Sequence, residues 1–191
     1  MSTTATRLPL AEARHHANAI WGQLDPHCER LTIAGSIRRG TTDVGDIELV
    51  AIPRFREEPS SLWGDTSRVS MLSAVLAREE AAGELERLSG GDRYVKLRHV
   101  RSGMQVDLFI TTPESWGLIL LIRTGPADYS QWLVTEARRR GLHVVGSHLH
   151  NGLGIPGRSD CACKTIPTPT EESVYEALGL PWVEPAGRGV A

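Results

Sequence analysis

Hydrophobic positions along this chain recur first at the helical period and then at the strand period, and the switches between the two mark out its elements. Over 9–24, Ala13, Ala17, Ile20 and Leu24 lie three or four residues apart behind an opening proline, which predicts an amphipathic helix. His15 and His16 fall outside that stripe and are expected at the surface. Leu31, Ile33 and Ala34 suggest a buried strand broken by Gly35, with Ser36 standing where a helix N-cap would stand. Along 45–52 the side chains alternate: Asp46 and Glu48 share one face, and Ile47, Leu49 and Ala51 share the other. The stretch 53–67, with its Pro, Ser, Gly and charged residues, reads as a loop, and 70–82 as an Ala-rich helix. Alternation returns over 94–100 and 105–110 on either side of Ser102-Gly103, which predicts a hairpin.

Beyond Thr112 the composition changes. The apolar run 113–122 predicts a helix, Gly125-Pro126 a break, and 127–140 an amphipathic helix ended by Gly141. A short strand pair is expected over 142–153, a Gly- and Pro-rich loop over 154–169, and a helix over 170–178. Thr170 caps that last helix, and Glu171 and Glu172 favour its positive end.

Bulk numbers narrow the class without deciding it. At 191 residues, 40% hydrophobic and 23% charged, the chain suits one good core or two small ones. No run nears the roughly 20 apolar residues of a membrane helix and the first residues lack an apolar signal core, so a cytoplasmic protein is expected. A net charge of −2 argues against non-specific coating of nucleic acid, although Arg38 and Arg39, the basic residues over 93–101, and Arg138 to Arg140 concentrate positive charge locally.

Candidate chemistry gathers in 31–52. The Gly35-Ser36 corner offers backbone N–H groups, a hydroxyl and two arginines, which suits a phosphate. Asp46 and Glu48, two apart on a strand with an apolar back, cannot relieve their repulsion by burial, whereas a divalent cation relieves it. Asp107, in the middle of the apolar strand Val106, Leu108 and Ile110, is costly unless something charged meets it. A cation is one such partner, and Arg98 across the hairpin is the other.

The string Gly35-Ser36-x-Arg38-Arg39-Gly40, followed by Gly45-Asp46-x-Glu48, resembles the G-S-x-R-R-G…G-D-x-D signature of the DNA polymerase beta-like (family X) nucleotidyltransferases. The closing string Thr170-Glu171-Glu172-x-Val174-Tyr175-x-Ala177-Leu178-Gly179-Leu180-Pro181-Trp182-x-x-Pro185 resembles the end of that family's thumb subdomain. The resemblance runs from 8 to 185 and implies an α+β fold: a nucleotidyltransferase palm over 1–112, with a mixed sheet and flanking helices, then a small α/β thumb over 113–191. The family's N-terminal lyase and helix-hairpin-helix regions are not expected in a chain of this length.

It implies further that Asp46, Glu48 and Asp107 hold two Mg²⁺ ions, for which Mn²⁺ can substitute. One ion would lower the pKa of a primer 3′-hydroxyl, and the other would hold the triphosphate. Gly35, Ser36 and Arg39 would contact the phosphates, Thr124 and Gly125 would lie at the nucleotide, and Arg38 would be structural. The implied activity is template-dependent transfer from a dNTP to a DNA 3′-hydroxyl in short-gap repair. The implied partners are a DNA primer–template or gapped duplex and a nucleoside triphosphate, with no membrane partner and a monomeric chain.

This sequence departs from the family pattern at two places. Glu48 stands for the usual aspartate, as in related nucleotidyltransferases with D-x-E, and Ile122-Arg123-Thr124-Gly125-Pro126 stands for Tyr-Phe-Thr-Gly-Ser, with Ser130 for the following asparagine. Both leave open a nucleotidyltransferase acting on RNA ends, a protein or a small molecule. A DNA-binding module with a dead site is the third reading, and three intact carboxylates speak against it. The residue types of His148, His150, Cys161 and Cys163 suit Zn²⁺, but H-x-H and C-x-C are not the usual spacings of structural sites. A strand-borne site and hairpin residues with no metal are the two alternatives.

Overall fold

A computed structural model of the chain describes residues 6–59, 65–152 and 163–189. In chain order its strands and α-helices are β1 (Leu8–Pro9), α1 (Leu10–Leu24), β2 (Cys28–Ile33), α2 (Gly35–Arg39), β3 (Asp43–Val44), β4 (Asp46–Pro53), β5 (Phe55–Pro59), β6 (Thr66–Ser70), α3 (Met71–Ala81), β7 (Leu85–Gly90), β8 (Tyr94–His99), β9 (Gln105–Ile110), α4 (Trp116–Thr124), α5 (Ala127–Arg139), β10 (Leu142–Val145), β11 (His148–Asn151), β12 (Thr165–Ile166) and α6 (Glu171–Leu178). The chain forms two units, Met1–Ile33 with Thr42–Ile110, and Ala34–Thr41 with Thr111–Ala191.

The first unit is built on a five-stranded mixed sheet of order β2-β4-β9-β8-β7. Neighbours are antiparallel except β4 and β9, which run parallel. Its apolar face carries Ile47, Leu49 and Ala51 of β4 and Val106 and Leu108 of β9, all fully buried. Helix α1 packs on β2 and β4 and buries the expected stripe of Ala13, Ala17, Ile20 and Leu24. His15 is exposed, while the half-buried His16 sets its ring 5.3 Å from that of His99. Helix α3 begins at the Ser70 cap, whose hydroxyl accepts from the Ser73 amide at 3.2 Å. Burial pushes the Cys28 thiol up to about 12, with Asp25 adding to the shift, so this cysteine behaves as a small apolar core residue.

The first unit also holds strands that the sequence pattern does not predict. Part of the expected loop 53–67 is a two-stranded sheet, β5 on β6, for which Pro53 and Pro59 gave no strand signal. The edge strand β7 has no alternating pattern in the sequence because only Leu85 is buried along it.

In the second unit, α4 is apolar on all sides because it is buried on nearly all of them, from Trp116 to Leu121. Its Leu118 and Leu121 join Tyr129, Leu133 and Ala137 of α5, Leu142 and Leu149 of the strands, and Val174, Tyr175 and Leu178 of α6 in one core. The Tyr129 and Tyr175 hydroxyls meet inside it at 2.6 Å. Strands β10, β11 and β12 form an antiparallel sheet, the last of them within the stretch expected to be loop. Helix α6 has the Thr170 cap with a full capping box through Ser173 and ends at Gly179 in the left-handed conformation.

Gly117 sits where α4 meets the start of α6. A Cβ there would lie 1.9 Å from the Thr170 carbonyl oxygen and 2.7 Å from the Glu171 nitrogen, both backbone atoms. Gly117→Ala is therefore expected to cost about 3 kcal/mol of stability. Urea denaturation checks this, and an unchanged midpoint would show that the contact yields easily.

Candidate active site

Strand β4 begins after Gly45 and presents Asp46 and Glu48, both half-buried, on the face opposite Ile47 and Leu49. In the parallel register with β9, Glu48 is the Cα partner of Asp107 and Asp46 that of Gln105. Side chains alternate along each strand, so the three carboxylates share one sheet face on two adjacent strands. The parallel pairing brings residues of 46–48 and 105–107 side by side across more than fifty intervening positions.

Asp107 is 9% exposed, and both its oxygens are oriented by neighbours. The Tyr94 hydroxyl donates to Oδ1 at 2.7 Å and the Gln105 amide donates to Oδ2 at 2.8 Å. Tyr94 is itself braced by the stacked ring of Phe109, 5.1 Å between centroids. Lys96 of β8 is the register partner of Asp107 on the other side. Arg98 is paired with Glu86 at 2.6 Å instead, so it is not the partner that the hairpin pattern allowed for Asp107.

A carboxylate accepts about four hydrogen bonds or metal contacts, and the two donors to Asp107 use half of these. Hard oxygen donors from three carboxylates on one face suit Mg²⁺, which typically takes one or two carboxylates and completes its shell with water or phosphate. Among the described residues, no three His, Cys, Asp or Glu side chains are already gathered around one centre. The donor set and the register fit a cation held jointly with a phosphate ligand, not a closed protein cage.

In the second unit, Gly35 opens α2 with φ +61, a left-handed conformation that favours glycine. The Ser36 hydroxyl oxygen is buried with no hydrogen-bond partner among the described residues. The two arginines that follow are held by Thr124 at the end of α4, itself fully buried. Arg38 Nη1 donates to Thr124 Oγ1 at 2.7 Å, and Arg39 Nη1 donates to the Thr124 carbonyl. Gly125 continues the chain into α5, and a Cβ there would lie 2.8 Å from Tyr129 Cδ1. Ser130 Oγ donates to the Ile122 carbonyl at 2.7 Å.

One functional group was not visible as such in the sequence. Glu171, read as a helix-terminus acid, is 5% exposed and accepts from Arg38 through both oxygens, at 2.7 and 2.6 Å. Its Oε1 also accepts from Arg188 at 2.6 Å, and Arg188 is fully buried, with its guanidinium 5.1 Å from the Trp182 ring centre. Burial works to raise the Glu171 pKa, but hydrogen bonds and charge from Arg38 and Arg188 outweigh it and hold the carboxyl below its ordinary range. The available signal was the unmatched pair of arginines at 38 and 39, which requires an anion when buried.

The DNA polymerase beta thumb family matches residues 119–189. DNA polymerase lambda of Rattus norvegicus is 28% identical over 162 residues, which cover 81% of this chain and 28% of that protein. The chain thus spans little more than a quarter of that relative. The crystal structure of Leishmania infantum polymerase beta in a ternary complex superposes with a TM-score of 0.74 at 18% identity, covering 97% of this chain and 77% of that one. The palm-like mixed sheet with its flanking helices, the smaller helix-and-sheet unit after it and the thumb match together give this chain the fold of the family X, DNA polymerase beta-like nucleotidyltransferases.

Proposed function

We propose that this chain transfers a nucleotidyl group from a deoxynucleoside triphosphate to a 3′-hydroxyl of DNA, templated by a primer–template or gapped duplex, as in short-gap repair. The observation that carries the proposal is the register of Glu48 with Asp107 on adjacent parallel strands, with Asp46 on the same face. Two Mg²⁺ ions held by Asp46, Glu48 and Asp107 would supply acidification of the attacking hydroxyl and charge for the departing pyrophosphate.

The remaining steps belong to the chain's own groups. Asp107, its oxygens aimed by Tyr94 and Gln105, accepts the proton of the 3′-hydroxyl. The Ser36 hydroxyl, buried without a partner among the described residues, donates to a phosphate oxygen. Arg39, with one N–H group committed to the Thr124 carbonyl, turns others of its five donors to the phosphates. Arg38, locked to Glu171 and Thr124, keeps the turn in shape.

A primer-extension gel tests the proposal, with a recessed or one-nucleotide-gapped duplex, Mg²⁺ and each dNTP or NTP in turn. Templated addition is expected. No addition with either Mg²⁺ or Mn²⁺ would overturn the proposal, and untemplated addition to an RNA end would move the acceptor to the second reading. Ile122 and Arg123 occupy the place of an aromatic pair that in the family packs on the sugar, so selection between deoxyribose and ribose is expected to be weak. Steady-state incorporation of matched dNTP and NTP should differ by no more than about 10–200-fold, the scale of discrimination by packing alone. A preference of about 10⁴ or more would show that another group reads the 2′ position.

A further inference from the structure

The residues whose types suit Zn²⁺ do not gather: His148 Nδ1 meets Ser115 Oγ at 2.6 Å, His150 faces His143 across the strands, and Cys161 lies outside the described residues. Among the described residues, no three such side chains share a centre. Unused charge lies instead on the sheet of the first unit, where the face that carries Asp46, Glu48 and Asp107 continues onto β8. Tyr94, Lys96 and Arg98 alternate there with Val95 and Leu97, which are buried on the opposite side. The Tyr94 hydroxyl reaches Asp107 Oδ1 at 2.7 Å, which fixes the side to which this set of β8 residues projects. Lys96 is the register partner of Asp107, and Asp107 in turn that of Glu48, so the three form one row across β8, β9 and β4. Neighbouring strands lie about 4.8 Å apart, which puts Lys96 one such step beyond Asp107.

An ammonium beside a carboxylate ordinarily pairs with it. Here both Asp107 oxygens are oriented by neutral donors, Tyr94 and Gln105, and the half-buried Lys96 side chain has no ion pair or hydrogen bond among the described residues. Its other neighbours do not claim it. Ser89, the register partner on β7, is uncharged, and Glu86 is held by Arg98 at 2.9 and 2.6 Å. An ammonium has three donors and no acceptor, so a partly desolvated one without a counterion is a place for an anion.

We propose that Lys96 binds a phosphodiester of the acceptor DNA strand, at one of the two linkages nearest its 3′ end. This rests on the nucleotidyl-transfer reading, which puts the 3′-hydroxyl at Asp107. The anions that accompany that hydroxyl are the phosphodiesters of its own strand, whereas the triphosphate is assigned to Ser36 and Arg39. Lysine meets a phosphate oxygen as a point charge on a flexible stem, so the contact holds the strand without reading its sequence. The same contact is present before and during the reaction, so it lowers the KM for the duplex and leaves kcat little changed.

Fluorescence anisotropy of a labelled primer–template, without nucleotide and from about 50 to 200 mM salt, tests this. Lys96→Met keeps most of the stem and removes the charge. It should weaken binding about tenfold at the lowest salt and reduce the slope of log K against log salt by about 0.9, the share of one phosphate contact. Lys96→Arg should restore both. A neutral methylphosphonate at one of the last two primer linkages should weaken wild-type binding by the same factor and Lys96→Met no further, whereas in the template it should affect both chains equally. Circular dichroism confirms folding, and a folded Lys96→Gln serves equally in place of Lys96→Met. Single-nucleotide extension by the wild type reads the nucleotidyl-transfer reading separately. If the wild type binds and extends the duplex while the folded variant matches it in affinity and slope, the assignment of Lys96 is overturned and that reading stands. A methylphosphonate that weakens both chains equally at both primer positions overturns the assignment in the same way. A wild type that neither binds nor extends the duplex overturns both.

Discussion

Asp107→Asn is expected to lower nucleotide incorporation by roughly 10²–10³-fold with the fold retained, the usual scale for removing one electrostatic group from a reacting centre. Asparagine keeps the volume of the side chain but removes the charge and one of its two acceptors. Tyr94 and Gln105 both donate to this carboxylate. One of those donors loses its partner, so a stability loss of about 1–2 kcal/mol should accompany the catalytic one. Tyr94→Phe separates the two effects. It removes a donor that orients the carboxylate while leaving the charge, and its rate loss should stay within about tenfold. Single-turnover incorporation with Mg²⁺ reads both variants, and an Asp107→Asn chain that keeps the wild-type rate would remove this residue from the chemistry.

Glu171→Gln should be the most destabilising of the conservative polar changes, at about 3–5 kcal/mol, because it leaves buried positive charge uncompensated. Arg188 is fully buried, and the Arg38 side chain is 23% exposed; both lose their anion. The pH dependence carries the same signature. The folded-state pKa of Glu171 is lowered, so its contribution is fully present above the unfolded carboxylate value and is lost as pH falls through the lower folded value. Between neutrality and about pH 5 the stability difference between wild type and Glu171→Gln should therefore hold constant, and it should shrink in more acid solution. Urea denaturation across that range decides it. A difference that grows on acidification would mean that the carboxyl is not held ionised by the arginines.

How much of this could be read from residues alone depended on range. The α1 stripe, the alternation of β4 and β9 and the Thr170 cap are local patterns, and each element formed where its period indicated. Asp107 stood out because a charge amid Val106, Leu108 and Ile110 demands a reason, but its orienting partners, Tyr94 and Gln105, have no local signature. The β5–β6 pair and β7 have no sequence signature because most of their residues are exposed, which leaves no alternation between apolar and polar positions. The Arg38–Glu171 pair joins positions 133 apart, and helix-end logic gave Glu171 a sufficient but incomplete explanation. The pairing of His143 with His150 is likewise set by hairpin register and not by motif spacing.

The most direct measurement is a crystal structure of the chain with Mg²⁺, a primer–template and a non-hydrolysable dNTP. The proposed mechanism predicts two ions ligated by Asp46 and Glu48, one of them also by Asp107, with the triphosphate oxygens contacted by Ser36 and Arg39. Ions bound away from these carboxylates, or a nucleotide seated where none of the three can reach a shared ion, would contradict it.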